Sequence, residues 1–234
     1  MSMMVVVTGA SHGIGRATAV AFARNNARLA LISRDQQKLE QTRTLCMKAG
    51  SPAATIYNCD LTQPEAVQTM ADAVLQTAVP DVVVNNAGGF APDEIGRIDP
   101  VVFQNQFDIN VTSAMLCTEA FINPMMARNN GCLFYVSSVA GIGPYPRSLA
   151  YTTAKHALLG YARSVREVVK TQGIRTMTLI PGAVYTATWG ENPDYPEDRM
   201  MPPEDLADTI VHLAQLSGRT VVEEILLRPL LGDI

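Results

Sequence analysis

Short runs of Val, Ile and Leu alternate along this chain with longer segments whose apolar residues recur at helical spacing. The runs are the pattern of strands buried on both faces, and the longer segments that of amphipathic helices. Strands are predicted at 4–8, 28–32, 53–58, 82–85, 132–136, 176–180 and 224–228, and helices at 14–25, 36–48, 64–77, 101–127, 150–171 and 203–216. Strand and helix alternate almost throughout, so the expected architecture is α/β: a Rossmann-type, doubly wound parallel sheet of about seven strands with helices on both faces. Ligands of such sheets bind outside the carboxyl ends of the strands.

One segment breaks the rhythm. Residues 183–203, with Thr186, Trp189, Gly190, Asn192, Pro193, Tyr195, Pro196, Met200, Met201 and Pro202, have little regular pattern and follow the end of a strand. Long irregular stretches placed this way serve as lids or binding loops, and a substrate lid is expected there.

Composition narrows the picture. At 234 residues and 25.3 kDa, with 47% hydrophobic residues, the chain suits one domain with one large core, spanning 1–234. A net charge of −4 and a pI near 5.4, without a Lys/Arg cluster, argue against a nucleic-acid partner. Cys46, Cys59, Cys117 and Cys132 lack metal-ligand spacing and read as reduced thiols, so no metal is expected. No segment approaches the roughly 20 apolar residues of a membrane span, and the start lacks a signal-peptide pattern. The expectation is a cytoplasmic protein with no membrane partner.

Two local patterns carry chemistry. Gly9, Gly13 and Gly15 in Thr8-Gly9-Ala10-Ser11-His12-Gly13-Ile14-Gly15 lie between a strand and a helix, where tight turns bring phosphate close to the helix-start N–H groups. Ser11, His12 and Ile14 of the same turn are further candidate cofactor contacts. At the end of the second strand the chain reads Ile32-Ser33-Arg34-Asp35. The Arg34 guanidinium can grip a 2′-phosphate with Ser33 adding a hydroxyl, which favours NADP(H), while Asp35 taking a ribose hydroxyl leaves NAD(H) open. The second pattern is Tyr151-x-x-x-Lys155 on a predicted helix, where positions four apart share a face. A phenol with a pKa of about 10 is a sluggish acid at neutral pH. A neighbouring ammonium can lower it.

With these residues in view, the chain resembles the short-chain dehydrogenase/reductase family in its compact single-domain branch. The resemblance rests on the order of the glycine motif, Asp60-Leu61, Asn85-Asn86-Ala87-Gly88, Asn110, Ser138, Tyr151-x-x-x-Lys155 and Pro181-Gly182 followed by Thr186. It implies an NADP(H)-dependent oxidoreductase that interconverts a carbonyl and an alcohol. Tyr151 would be the acid/base, Lys155 would tune it and hold the nicotinamide ribose, Ser138 would stabilise the carbonyl oxygen, and Asn110 would hold a relay water. Asp60 and Leu61 would meet the adenine; Asn86, Ala87 and Gly88 would line the adenosine side. Pro181, Gly182, Val184 and Thr186 would shape the nicotinamide pocket. Ser137 is the neighbour most easily confused with Ser138. The family also implies a homodimer or homotetramer, since helices 101–127 and 150–171 carry more apolar positions than one buried face requires.

The substrate is expected to be a small ketone or aldehyde with some hydrocarbon body, met by residues of 90–99, 141–149 and 183–203, among them Phe90, Tyr145, Tyr185 and Trp189. Three alternatives compete. A 3-oxoacyl-carrier-protein reductase would want a basic rim, yet Glu191, Asp194, Glu197 and Asp198 crowd the lid. A silent NADP-binding sensor would ordinarily break the Tyr/Lys pair, and a methyltransferase would want an acid where Ser33-Arg34 stand.

Overall fold

The computed structural model describes residues 2–186 and 196–233. Seven parallel strands form one sheet: β1 (Met4–Thr8), β2 (Arg28–Ser33), β3 (Ala54–Asn58), β4 (Val82–Asn85), β5 (Gly131–Val136), β6 (Ile174–Pro181) and β7 (Glu224–Leu227). Their spatial order is β3-β2-β1-β4-β5-β6-β7. The chain therefore winds outward from β1 in one direction, returns, and continues from β4 in the other. The carboxyl ends of β1 and β4 flank the resulting crevice, the switch point at which open α/β sheets bind ligands.

The strands hold this order because both sheet faces are apolar. Val5 and Val7 of β1 point into one core cluster with Leu29, Leu31, Val84 and Phe134, whereas Val6 joins Ala30, Val83, Leu133 and Tyr135 in the other. Helices α1 (Gly13–Arg24), α2 (Gln36–Lys48) and α7 (Pro203–Gln215) cover the first face. The second is covered by α3 (Pro64–Leu75), α5 (Ser113–Ala127) and α6 (Leu149–Val169). Fully burying each such aliphatic or aromatic side chain contributes about 1.5–3 kcal/mol. Uninterrupted apolar strands are the result.

One predicted helix is not a single helix. The stretch expected at 101–127 forms α4 (Pro100–Phe107), a π turn at Asp108–Thr112, and α5. The π turn contains Asn110, a residue that would ordinarily lie on a helix surface but is fully buried here. Its Nδ2 donates to the Gln106 and Gly89 carbonyls at 2.8 and 2.9 Å, so a side chain competes for the carbonyl one turn back. Single π turns inside helices mark functional sites often enough to direct attention to this one.

The two described ends of the irregular segment meet. Val184 bridges Met201, Tyr185 N donates to the Met201 carbonyl at 2.9 Å, and Met200 and Met201 are buried. Trp189, Gly190, Glu191, Asn192, Pro193, Asp194 and Tyr195 lie outside the described residues. No helix among the described residues is long and apolar enough to cross a membrane.

Candidate active site

The glycine turn closes tightly against the end of β4. Gly9 and Gly13 take positive φ values of 64° and 53°, which residues with a side chain rarely adopt. A Cβ on Gly15 would stand 2.2 Å from the Gly9 carbonyl oxygen, so helix and turn fit only without one. Asn86 locks the arrangement: its Nδ2 donates to the Thr8 carbonyl at 2.9 Å, while its backbone N–H and that of Ala87 each donate to Thr8 Oγ1 at 2.9 Å. Asn86 is therefore a brace between β4 and the glycine turn rather than part of a plain turn. Thr8, a residue the local pattern did not single out, is the hub of that brace.

The start of α1 is left open. His12 occupies its N-cap with an extended backbone but provides no side-chain hydrogen bond, and no acidic residue stands in the first turn. By contrast, Asp35 caps α2, Asp99 caps α4 and Ser148 caps α6. Uncapped N–H groups of Gly13, Ile14 and Gly15, together with the helix dipole, can cradle an anion. Ser11 Oγ meets His12 Nδ1 at 3.0 Å, and Arg16 Nε donates to Thr42 Oγ1 at 3.1 Å, which tethers the turn to α2. Burial, with Lys38 and Arg16 adding to it, lowers the His12 pKa from its ordinary value, so a neutral imidazole borders this cradle.

At the end of β2, Arg34 is exposed, and Ser33 Oγ accepts from Asp35 N at 3.3 Å. Asp35 is committed elsewhere. It accepts from Lys38 N at 3.0 Å to cap α2 and pairs with Lys38 Nζ at 3.3 Å. Asp60 forms a turn with Thr62, whose N–H and hydroxyl donate to Oδ1 at 3.1 and 2.8 Å. Burial pushes the Asp60 carboxyl up, but the Thr62 bonds and the Arg34 guanidinium outweigh it and hold the group below its usual value. Leu61 is buried in the core beneath the sheet.

Tyr151, Lys155, Ser138 and Asn110 converge beyond the carboxyl ends of β4 and β5. Tyr151 and Lys155 lie on successive turns of α6, with the Lys155 nitrogen 5.5 Å from the Tyr151 ring centroid. Ser138 caps the 3-10 turn Val139–Gly141, accepting from Ala140 N at 3.2 Å, and its hydroxyl lies near enough to Tyr151 to favour the ionised phenol. Ser137 faces away: it is buried and donates to the Lys155 carbonyl at 3.3 Å, bracing α6 against β5. The neighbouring serines thus have different tasks. Gly88 is the gap between two other members, because a Cβ there would lie 2.8 Å from Asn110 Oδ1 and 3.5 Å from Lys155 Nζ.

The acidified phenol expected from the sequence is not what these protein groups produce. Burial pushes Tyr151 up to about 12; the nearby Ser138 hydroxyl pulls it down in part and Tyr145 adds to the rise. Lys155 does not offset this, because its ammonium sits by the ring and donates to the Val136 carbonyl at 3.0 Å. Burial also pulls Lys155 down to about 8. Desolvation dominates both shifts.

Phe90 meets the Tyr151 ring edge-on at 5.4 Å and the Tyr145 ring at 6.0 Å, walling the site with aromatic surface. Thr186 comes to the mouth of the glycine turn, its methyl carbon 3.0 Å from where a Cβ on Gly13 would be. Pro181 ends β6 in register with Leu227, and Gly182 N donates to the Leu227 carbonyl at 2.8 Å, so both are fixed by the sheet edge. Asp93, absent from the candidates read from the sequence, joins the start of α6 through three hydrogen bonds. A bond spanning more than fifty residues has no local signature, so nothing in the sequence near Asp93 could have revealed it.

Comparison with known proteins identifies relatives of this chain. A family model described as short chain dehydrogenase matches residues 3–196. The chain is 31% identical over 242 residues to sepiapterin reductase of Chlorobaculum tepidum, covering 100% of this chain and 99% of that protein. Among solved structures, an alcohol dehydrogenase from the archaeon Thermococcus sibiricus complexed with 5-hydroxy-NADP superposes with a TM-score of 0.90 at 26% identity, covering 100% of this chain and 99% of that one. A metagenomic short-chain oxidoreductase in complex with NADP gives a TM-score of 0.84 at 31% identity, with 97% and 96% covered.

Proposed function

This chain belongs to the short-chain dehydrogenase family, and from that premise we propose that it is an NADP(H)-dependent oxidoreductase that interconverts a ketone or aldehyde and an alcohol. The observation that carries the reading is the convergence of Ser138, Tyr151, Lys155 and Asn110 at the switch point, beside an anion cradle with no side-chain cap. Bound there, NADPH supplies the hydride that side chains cannot.

The residues present fit that cofactor. The first turn of α1 offers its N–H groups to the diphosphate, and the missing side chains of Gly9 and Gly15 let phosphate approach the backbone. Arg34, exposed at the end of β2, would hold a 2′-phosphate, and Asp35 is occupied as a helix cap, which supports NADP(H) over NAD(H). Lys155, with donors beyond the one spent on Val136, can hold ribose hydroxyls.

Tyr151 supplies the proton. A phenol held protonated at neutral pH is suited to donate to an oxygen that gains negative charge as the carbonyl is reduced, a far stronger base than phenolate. Ser138, whose hydroxyl lies beside Tyr151, donates its hydrogen to that oxygen and stabilises the developing charge. Asn110 and Lys155 face each other across Gly88, a span suited to a water that returns a proton to the site. The Phe90–Tyr145–Tyr151 wall favours a carbonyl attached to apolar or flat groups.

The test is oxidation of NADPH, followed at its absorbance band, with a panel of ketones and aldehydes. Turnover of apolar carbonyls is expected, and silence across the panel from protein that binds NADPH would replace this reading with that of a nucleotide sensor. In the same assay Arg34→Ala is expected to raise KM for NADPH roughly 10- to 100-fold, the worth of a charge-assisted contact, while KM for NADH stays within about threefold. Equal effects on both cofactors would remove the phosphate role from Arg34.

A further inference from the structure

We propose that Asp93 is a positioning residue for Tyr151, tying the first turn of α6 to the segment that carries Phe90; only its kinetic consequence rests on the reductase reading. An α-helix begins with N–H groups that have no partner inside the helix, and its first turn is where helices fray. Tyr151 stands in that turn, two residues after the start of α6. A proton donor in such a place needs an anchor that the helix does not supply.

Asp93 supplies it. Its Oδ1 accepts from Leu149 N at 2.7 Å, and its Oδ2 accepts from Ala150 N at 2.8 Å and from Ser148 Oγ at 3.0 Å. Ser148 Oγ, oriented by that bond, accepts from Tyr151 N at 3.1 Å. The first three N–H groups of α6 are thus satisfied directly or through one hydroxyl by a single carboxylate from a distant segment. Charge-assisted bonds of this kind, aligned with a helix dipole, are the stronger class. They also hold the Asp93 carboxyl below its usual value against the upward push of burial, so it is ionised across the neutral range.

The same residue fixes the substrate wall. Asp93 N donates to the Arg147 carbonyl at 3.1 Å, closing residues 90–93 onto the segment before α6. Phe90, three residues back, meets both Tyr145 and Tyr151 edge-on. Removing the carboxylate frees both the proton donor and the ring that walls it. An ordinary helix cap would stabilise α6 without linking it to a substrate-facing segment.

The experiment compares Asp93→Ala and Asp93→Asn with the unaltered protein by amide hydrogen exchange, NADPH titration and steady-state kinetics. In Asp93→Ala, exchange at Leu149, Ala150 and Tyr151 is expected to quicken about 10-fold or more while Leu158 and Leu159 stay within about twofold. Turnover is expected to fall about 10- to 100-fold and the KM for the carbonyl to rise by less, about threefold to 10-fold, as the Phe90 wall loosens, while the affinity for NADPH stays within about threefold, because misplacement harms the reacting geometry and the substrate wall rather than cofactor binding. Asp93→Asn keeps one acceptor oxygen and should fall between, and it decides the matter should Asp93→Ala not fold. Unchanged exchange at residues 149–151, turnover within about twofold in the folded variant, or equal losses of turnover, NADPH binding and melting temperature would each overturn the proposal. Exchange needs no substrate. An unaltered protein without activity would therefore count against the reductase reading and leave the anchoring role to be decided by exchange.

Discussion

Tyr151→Phe is expected to lower turnover in carbonyl reduction by about 10²- to 10⁴-fold, the range of a lost general acid, and to leave NADPH affinity within about threefold. The substitution removes one oxygen. The ring that packs 5.4 Å from Phe90 and beneath the Lys155 nitrogen remains, so the wall of the site and the start of α6 should keep their shape. What disappears is the proton and the hydroxyl that stands beside Ser138. Steady-state kinetics paired with a fluorescence titration of NADPH checks both halves. Near-normal turnover in a variant that binds NADPH would take Tyr151 out of the mechanism and move the proton-donor role to a neighbouring hydroxyl such as Ser138 or Tyr145.

Replacing Lys155 separates stability from function. Its nitrogen is buried, donates to the Val136 carbonyl and lies within reach of the space between Tyr151 and Asn110. Lys155→Met keeps most of the volume and removes the charge, so turnover is expected to fall by about 10²-fold or more and NADPH affinity by about 10-fold. The same variant is expected to melt up to about 5 °C higher at pH 7. The sign follows from proton binding. The folded protein holds the ammonium at about 8, below the ordinary value of 10.5, so folding at neutral pH carries the cost of a buried charge. That cost is full below about 8, shrinks as pH rises from there, and is gone above the unfolded value near 10.4. Thermal melts at pH 7 and pH 10 should therefore show the advantage of methionine narrowing with pH. A variant less stable at pH 7, with turnover retained, would make Lys155 a structural residue held by its bond to Val136.

The thresholds of the elements were read closely from pattern alone because burial on both faces leaves so little freedom. The strands at 4–8 and 82–85 and the helix at 36–48 have the predicted bounds, and the rest move by a residue or two. The miss was at 101–127, where the apolar period continues through Asn110 while the backbone does not. A side chain competing for a helix carbonyl is invisible to a count of apolar positions. The resemblance selects Ser138 over Ser137, and the physical basis of that choice is direction. Along an extended backbone successive side chains point opposite ways, and here one points to the α6 carbonyl and the other to the cleft.

The sign of the Tyr151 shift was beyond reach for a different reason. Spacing brings a phenol and an ammonium to one helix face, but the balance of attraction and desolvation depends on what covers them and where each nitrogen donates. The same holds for Asp35, whose position in sequence allows a ribose ligand and whose hydrogen bonds make it a cap.

The sequence by itself determined the wound parallel sheet, the glycine turn at its switch point and the Tyr/Lys pair, because each depends on periodicity or on residues a few positions apart. Only the tertiary structure decided what Ser137 does, that Asn110 is buried in a π turn, which way burial moves Tyr151 and Lys155, and that Asp93 reaches across to hold the start of α6. Those outcomes depend on contacts between segments distant along the chain, and on solvent excluded by their packing, neither of which local pattern encodes.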